Sequence, residues 1–364
     1  MEFFATMPQG IEKIAAKELE ELGGKVTEVR SGRVFFKGRK FLVYKLNFFS
    51  RCCERILILL ERGKFQKLED IYSRVRKIDF SFLEGKSFAV RSLRVGEHDF
   101  TSLDVADVGG RAIIESFMDS HGERLKVNLN EPEAIIRIDV VNKEFFVGLD
   151  TTGDDALHKR WWRVYNHPAH LNSTIACAMI KLSGWNEKKS LLDPMCGSGT
   201  IPIEAALIGR RIPPGKNRSF AYFKLFGERA PSFRENKKSL SLTGIEKFEK
   251  HLKGAVENAR NAGVEDTIKF RLGDATAIEG SYDCIVTNPP YGLRIGSKRI
   301  VKKLYEKFVQ RVAECMHTES KFVIITPEEK ILTRATKMAG LKIKEKMNVM
   351  YGGLRVKIFK ISKS

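Results

Sequence analysis

The stretch Leu191-Leu192-Asp193-Pro194-Met195-Cys196-Gly197-Ser198-Gly199-Thr200 decides the fold. Its apolar start predicts a buried strand, and the apolar residues that follow it predict a helix, so the glycines lie in a strand-to-helix turn. Gly197 and Gly199 permit a ligand to approach the backbone closely. Pro202 occupies a position that a dinucleotide fingerprint fills with glycine, and no Walker-type phosphate loop is present. The turn therefore favours a nucleotide-like ligand without a pyrophosphate.

Strands and helices alternate around this turn from residue 171 onward. Such alternation is typical of an α/β fold with a doubly wound, parallel sheet. Tyr351-Gly352-Gly353 joins the last two strands, so we expect a hairpin that places one strand antiparallel at the end of the sheet. The predicted strands span residues 190–193, 242–245, 268–272, 283–287, 321–326, 342–350 and 355–361.

Polar residues follow three further strands of this predicted sheet. Glu246 ends the second strand and Asp274 the third, and Asn288 ends the fourth. Ligands of open α/β sheets bind at the carboxyl ends of the strands. Glu246 can accept hydrogen bonds from ribose hydroxyls, and Asp274 can accept one from an adenine amino group. Each acid alone is equally compatible with an ordinary helix start or turn, but their coincidence at one edge favours a binding site.

The sequence Asn288-Pro289-Pro290-Tyr291 closes the fourth strand with a rigid turn. Proline fixes φ and removes a backbone donor, so the turn presents carbonyl acceptors beside an aromatic ring. That chemistry suits an exocyclic amino group on a planar base, which offers two N–H donors and a π-face. Taken alone, a Pro-Pro turn that ends a buried strand is the commoner interpretation.

The first 150 residues form shorter elements of α+β type. We predict a small unit with strands over 3–6, 26–30, 33–37 and 55–60, and a second unit over 65–150 with longer elements. The segment Gly153–Asn172 is polar, aromatic and basic, which predicts a linker that leads into the first helix of the α/β sheet.

Net charge and cysteine content indicate which partners and which cellular compartment to expect for this protein. About +17 of the net charge of +19 lies in residues 166–364, and nucleic acid is the natural partner for such a surplus. Lysines that merely face water are the alternative. The six cysteines show neither zinc-site nor disulfide spacing. No apolar run of eighteen residues and no signal-like start occur, so we expect a cytoplasmic protein with no metal and no membrane segment.

These motifs resemble those of a known family. Asp193–Gly199 and Asn288–Tyr291 resemble the cofactor and catalytic motifs of class I S-adenosylmethionine-dependent methyltransferases that modify exocyclic amino groups. Arg91–Gly110 is similar to a THUMP RNA-binding domain, and residues 3–60 to the ferredoxin-like domain that accompanies it. The resemblance covers nearly the whole chain and is closest to archaeal tRNA guanine-N2 methyltransferases that act at position six of the acceptor stem.

The resemblance implies a Rossmann-like methyltransferase sheet at the C-terminus, preceded by ferredoxin-like and THUMP domains. The corresponding division is 1–60, 61–152, a linker over 153–170, and 171–364. S-adenosylmethionine is the implied cofactor, and the implied binding set is Asp193, Pro194, Met195, Cys196, Gly197, Ser198, Gly199, Thr200, Glu246, Lys247, Asp274, Ala275 and Asn288.

The same resemblance implies catalytic roles for three residues of the turn. Asn288 Oδ1 and the Pro289 carbonyl would each accept one N–H of the guanine amino group, and Tyr291 would stack on the base after it leaves its helix. We expect tRNA as the partner of a monomeric protein. The expected RNA contacts are Arg91, Arg94, Arg111, Lys159, Arg160, Arg218, Lys224, Arg229 and Arg294.

A basic and aromatic insertion over residues 210–241 separates Gly199 from Glu246. It either covers the cofactor and contacts tRNA, or forms a lid whose aromatic residues pack on the sheet. Three other functions remain open at this point. They are N2-methylation at position ten of tRNA, adenine-N6 methylation of RNA, and RNA binding by a methyltransferase fold without activity.

Overall fold

The computed structural model describes residues 1–227, 231–292 and 298–363, except for the side chain of residue 298. Its N-terminal half alternates short strands with four helices, as the hydrophobic periodicity predicts. The elements are β1 Glu2–Thr6, α1 Glu12–Glu21, β2 Lys25–Arg30, β3 Arg33–Lys37, α2 Leu42–Phe49, β4 Arg55–Lys64, α3 Leu68–Val75, β5 Ser87–Val95, α4 Ser102–His121, β6 Lys126–Val127, β7 Ala134–Val141 and β8 Glu144–Asp150.

All of these strands belong to one sheet with the order β2-β3-β1-β4-β8-β7-β5-β6. The sheet is continuous because β4 pairs with β1 on one side and with β8 on the other. The sequence predicts that β4 ends at Leu60, yet it continues to Lys64, which pairs with Glu144. The division placed after residue 60 therefore falls inside a strand. Arg62 and Lys64 of this extension are exposed on either side of Gly63, so hydrophobicity alone does not mark these residues as a strand.

The C-terminal half begins at the helix after the linker. Its elements are α5 Ser173–Ser183, β9 Leu191–Asp193, α6 Thr200–Gly209, α7 Ala221–Phe226, β10 Leu242–Glu246, α8 Glu249–Ala262, β11 Ile268–Leu272, β12 Tyr282–Thr287, α9 Lys298–Glu314, β13 Met316–Thr326, α10 Glu329–Met338, β14 Leu341–Tyr351 and β15 Leu354–Lys363.

These strands form a second sheet with the order β11-β10-β9-β12-β13-β15-β14. The first five strands run parallel, and β15 runs antiparallel to both β13 and β14. The predicted α/β fold with a terminal hairpin is thus confirmed. Helix α7 was not predicted, because its six residues are too few to show a helical period. The strand order brings the ends of β9, β10, β11 and β12 to one edge.

The two halves meet at a buried ion cluster. Arg160 of the linker places Nε 2.7 Å from Glu204 Oε1 on α6, and both side chains are fully buried. Arg51, which follows α2, places Nη1 3.6 Å from Glu204 Oε2. The thiol of Cys177 on α5 donates to the same oxygen over 3.0 Å. One carboxylate therefore holds the N-terminal half, the linker and the C-terminal half together.

Candidate functional site: the carboxyl edge of the second sheet

The loop between β9 and α6 has the backbone conformation that its glycines predict. Gly197 and Gly199 have φ of 54° and 79°, a region that residues with a Cβ rarely adopt. Gly199 is the N-cap of α6, and no side chain caps this helix. The first N–H groups of α6, which like those of any helix have no intrahelical partner, are therefore not capped by the N-cap side chain. Cys196 is buried in the loop, where its N–H donates to the Ile245 carbonyl over 2.9 Å.

Glu246 binds the glycine loop directly. Its Oε2 accepts from the Gly197 N–H over 3.0 Å, and its Oε1 accepts from the Phe248 N–H over 3.0 Å. Each oxygen retains a lone pair for a ligand hydroxyl. The end of β10 thus helps to hold the loop in its ligand-binding shape, a role that the sequence did not indicate.

Asp274 lies at the next strand end and forms an ion pair with Lys247, with Nζ 2.9 Å from Oδ2. The hydrogen bond from Lys247, together with bonds from the N–H and hydroxyl of Thr276, lowers the pKa of Asp274 to about 2. Asp274 is therefore a carboxylate at neutral pH and can accept from an amino group. Ala275 is buried immediately after it.

Asp193 is the most deeply buried acid at this edge. Burial raises its pKa to about 7, although hydrogen bonds from the Thr287 hydroxyl and the Met195 N–H oppose the rise. Thr287 precedes Asn288, so this bond joins the glycine loop to the Asn-Pro-Pro-Tyr turn.

In that turn, the Tyr291 hydroxyl donates to Asn288 Oδ1 over 2.6 Å. Pro289 is buried and Pro290 is exposed. The Tyr291 ring is half-buried against the main hydrophobic core, and burial raises the pKa of its hydroxyl above the ordinary value. The hydrogen bond fixes the direction of the Asn288 carbonyl oxygen, which keeps a second lone pair for an incoming N–H. Tyr291 thus orients Asn288, and its stacking on a base stays a prediction.

The linker contributes residues that sequence reasoning missed. The Arg163 guanidinium contacts the hydroxyls of Ser198 and Thr200 at 3.4 and 3.2 Å. A Cβ placed on Gly197 would lie 3.7 Å from the His167 ring. The two hydrogen bonds join residues that are 35 and 37 positions apart, so no local motif reveals them. The basic and aromatic composition of the linker was the only signal available.

Several predicted RNA contacts are engaged within the protein. Arg160 cannot reach RNA because Glu204 and two backbone carbonyls hold it in the interior, so this prediction is wrong. Arg218 donates to the carbonyls of Asp155, Ala156 and Lys159 over 2.5 to 3.1 Å and braces the linker. This bracing role does not support Arg218 as an RNA contact.

The other predicted contacts are more accessible. Arg91 lies 3.4 Å from Asp154, Arg94 donates to the Gly96 carbonyl, and Arg111 stacks over Tyr72. Lys159 pairs with Asp155 at 2.9 Å, and Lys224 is exposed on α7. Arg229 and Arg294 lie outside the described residues. RNA contact by the exposed residues stays a prediction.

The basic and aromatic insertion over residues 210–241 packs against the N-terminal half of the protein. Phe220, Tyr222 and Phe223 are buried, and the Phe223 ring stacks on Tyr44 of α2 with centroids 5.0 Å apart. The aromatic residues Tyr222, Phe223 and Phe233 therefore pack against α2 of the N-terminal half. The described aromatic contacts of the insertion reinforce the joint between the two halves.

Known families match all three parts of this architecture. Residues 2–57 match the RlmL ferredoxin-like domain, residues 65–150 the THUMP domain, and residues 160–357 the RMKL-like methyltransferase domain. The fold and the site define a THUMP-containing class I methyltransferase.

Two relatives that match almost the whole chain identify the family more closely. The tRNA (guanine(6)-N2)-methyltransferase of Archaeoglobus fulgidus is 56% identical over 98% of this chain and 91% of its own length. The enzyme of the same name from Methanocaldococcus jannaschii is 48% identical over 99% of both chains. This chain belongs to the family of archaeal tRNA guanine-N2 methyltransferases.

Solved structures show the same fold. SMU.472, a methyltransferase complexed with SAH, superposes with a TM-score of 0.84 and 27% identity over 100% of this chain and 98% of its own. TrmN from Thermus thermophilus superposes with a TM-score of 0.74 and 26% identity over 100% of this chain and 99% of its own.

S-adenosylmethionine is the cofactor of this family, and the residues present fit it. Glu246 has free lone pairs at the end of β10, where the nucleoside of the cofactor would need acceptors. Asp274 remains ionised two strands from the glycine loop. The uncapped start of α6 and the adjacent glycines leave space and N–H donors for the remainder of the molecule.

Among the described residues, no helix has the length and apolar character needed to cross a membrane, and no cluster of His, Cys, Asp and Glu has the composition of a metal site.

Proposed function

We propose that the protein transfers a methyl group to the N2 amino group of guanine at position six in the tRNA acceptor stem. The observation that carries the reaction class is the Asn288 carbonyl oxygen, which Tyr291 orients at the end of β12. It lies one residue from the hydrogen bond between Thr287 and the glycine loop. The names of the two archaeal relatives support guanine and position six.

The proposed chemistry depends on two acceptors in the turn. Asn288 Oδ1 and the Pro289 carbonyl accept the two N–H groups of the amine, which draws the nitrogen lone pair out of conjugation with the ring. S-adenosylmethionine supplies an electrophilic methyl group on a sulfonium. No strong base is required, because the amine can lose its proton after it has been methylated. Catalysis therefore comes from positioning and preorganised electrostatics.

The substrate base must leave the helical stack to reach this edge. The N-terminal half includes a THUMP domain, and its sheet is fixed to the catalytic half through Glu204. We propose that this half binds tRNA while the turn receives the flipped guanine. A single chain supplies both functions, so we also propose that the active form is a monomer.

The test is methylation of an unmodified tRNA transcript with labelled cofactor, followed by nucleoside mass spectrometry and position mapping. We expect N2-methylguanosine at position six and no product when that guanine is replaced by adenine. Product at position ten would support the first alternative, and N6-methyladenosine would support the second. Tight tRNA binding without any product would support a non-catalytic protein.

The matched variant is Asn288→Ala. Removing the oriented acceptor should lower kcat by roughly 100-fold or more, while tRNA affinity stays within twofold of the wild type. Turnover at the wild-type rate in this variant would contradict the role of the turn.

A further inference from the structure

Arg163 is a half-buried cation that forms no ion pair with any described residue. Its guanidinium contacts the hydroxyls of Ser173, Ser198 and Thr200 and the carbonyl of Leu171, all at 3.2 to 3.4 Å. These acceptors are neutral, and the distances are long for hydrogen bonds from a charged donor. Within the described parts of the chain, no carboxylate lies at ion-pair distance from Arg163.

Other buried arginines of this protein differ from Arg163. Arg33 pairs with Asp139 at 2.8 Å, Arg55 with Asp150 at 2.7 Å, and Arg160 with Glu204 at 2.7 Å. Arg218 has no carboxylate at this distance, but three carbonyls accept from it at 2.5 to 3.1 Å. Arg163 has no ion pair within the described residues; one carbonyl and three hydroxyls accept from it at 3.2 to 3.4 Å, and its guanidinium lies 5.0 Å from the centroid of the Trp162 ring.

Burial lowers the pKa of the Arg163 guanidinium to about 10, and the attraction of the Glu204 carboxylate, which lies beyond ion-pair distance, opposes this shift only in part. Desolvating a cation costs several kcal/mol unless an anion or strong acceptors replace the water. The position is therefore built to hold an anion that is not part of the chain.

The neighbourhood of Arg163 indicates where that anion belongs. Ser198 and Thr200 flank Gly199, the uncapped N-cap of α6. A helix N-terminus carries a partial positive charge and free N–H groups, so it favours negative charge at the same place. Two independent positive features thus converge on the side of the loop that faces the linker.

The cofactor has one group that fits this position. Acids at the ends of β10 and β11 suit the hydroxyl and amino donors of its nucleoside, and they disfavour an anion there. The amino-acid end of the cofactor carries its only carboxylate. We propose that Arg163 pairs with this carboxylate and is a cofactor-binding residue supplied by the linker. The proposal rests on the cofactor, and not on the identity or position of the methylated base.

The test compares two ligands by calorimetry with the purified full-length protein. S-adenosylhomocysteine carries the carboxylate, whereas 5′-methylthioadenosine keeps the nucleoside and thioether but lacks the amino-acid end. In Arg163→Met, we expect the affinity for S-adenosylhomocysteine to fall tenfold to roughly 100-fold, as for a lost charge-assisted hydrogen bond. The affinity for 5′-methylthioadenosine should stay within twofold of the wild type. Arg163→Lys should recover part of the loss, since it restores the charge without the planar fork.

Arg218→Met is the matched control, because it removes another half-buried guanidinium that braces the same linker. It should leave the affinity ratio of the two ligands unchanged, and melting curves of each variant report any loss of folded protein. Equal losses for both ligands in Arg163→Met would overturn the proposal. Unchanged affinity for both ligands in Arg163→Met would also overturn the proposal. If tRNA affinity fell in that case, with a smaller dependence on salt concentration, Arg163 would instead be assigned to an RNA phosphate.

Discussion

The hydroxyl of Thr287 donates to Asp193 Oδ1 over 2.8 Å, between the ends of two adjacent parallel strands. Both side chains are buried. Asp193 begins the glycine loop, and Thr287 precedes the Asn-Pro-Pro-Tyr turn, which we propose to be catalytic. One hydrogen bond therefore fixes the glycine loop and the Asn-Pro-Pro-Tyr turn relative to each other.

Replacing Thr287 by valine tests this connection. The change preserves shape but leaves Asp193 Oδ1 without this donor, which should lower the free energy of unfolding by about 1–3 kcal/mol. The Asn-Pro-Pro-Tyr turn should also shift relative to the glycine loop, so we expect kcat to fall more than tenfold. Denaturant unfolding and single-turnover methylation measure the two effects.

Thr336→Val provides the control for Thr287→Val. Thr336 is buried in α10, and its hydroxyl donates to the Leu332 carbonyl within the helix. Removing it should not change kcat. Equal activity of both variants, corrected for folded protein, would argue against a positioning role of Thr287.

The ionisation of Asp193 predicts a pH dependence of cofactor binding. Its pKa is raised to about 7 in the folded protein from an ordinary value of 3.8. The folded protein therefore holds the proton more tightly than the unfolded chain. The stability that this provides is present below pH 4 and is lost as the pH rises toward 7.

A cationic cofactor favours the ionised carboxylate, so its binding should release a proton from Asp193. We expect the affinity for S-adenosylmethionine to rise between pH 6 and pH 8, and Asp193→Asn to abolish this trend. Calorimetry in buffers with different ionisation enthalpies measures the released proton. An affinity that is flat over this range in the wild type would contradict the predicted linkage.

The sequence predicts the second sheet well because its central strands β9, β10 and β12 are short, largely buried segments that alternate with helices along the chain. Local patterns also place Asp193, Glu246, Asp274 and Asn288 at strand ends, since strand direction alone brings such residues to one edge. The amino-acid sequence is therefore sufficient to locate those candidate site residues that lie at the ends of strands.

The errors have a common physical cause, which is contact between distant segments. Arg160 was expected to face RNA because its neighbours are basic and aromatic. Nothing local indicates that Glu204, 44 residues later, removes it from solvent. Arg163 was missed for the same reason, as its contacts with the glycine loop exist only in the folded chain. The continuation of β4 depends likewise on its pairing with β8.

Removing the charge of Glu204 should weaken the joint between the two halves. In Glu204→Gln, the buried Arg160 and Arg51 lose their counterion, and breaking such a pair typically costs about 3–5 kcal/mol. Urea unfolding measures the loss. Glu249→Gln is the control. Glu249 forms an exposed pair with Lys253 within α8, so this variant should unfold at the same urea concentration as the wild type. Similar stability of the two variants would mean that the cluster does not fix the halves.

A second joint lies where the turn before α1 meets β14. The Met350 N–H donates to the Gln9 carbonyl over 3.0 Å, and a Cβ on Gly10 would lie 1.8 Å from the Asn348 carbonyl oxygen. Gly10→Ala must therefore separate these segments or move the backbone. We expect methylation of whole tRNA to fall at least tenfold, because the N-terminal half no longer holds tRNA at the correct distance from the turn. The affinity for S-adenosylhomocysteine should change less than twofold.

Gly23→Ala separates this docking effect from backbone strain. Gly23 has φ of 103°, close to the 104° of Gly10, but the nearest atom to its Cβ is Leu42 Cδ1 at 4.0 Å. Both variants incur the strain of about 1–3 kcal/mol for a residue with a Cβ in this region, and only Gly10→Ala disturbs β14. Methylation assays at a temperature where both variants remain folded should show a defect in Gly10→Ala alone. Equal defects would attribute the loss to strain and would exclude the contact with β14 as the cause.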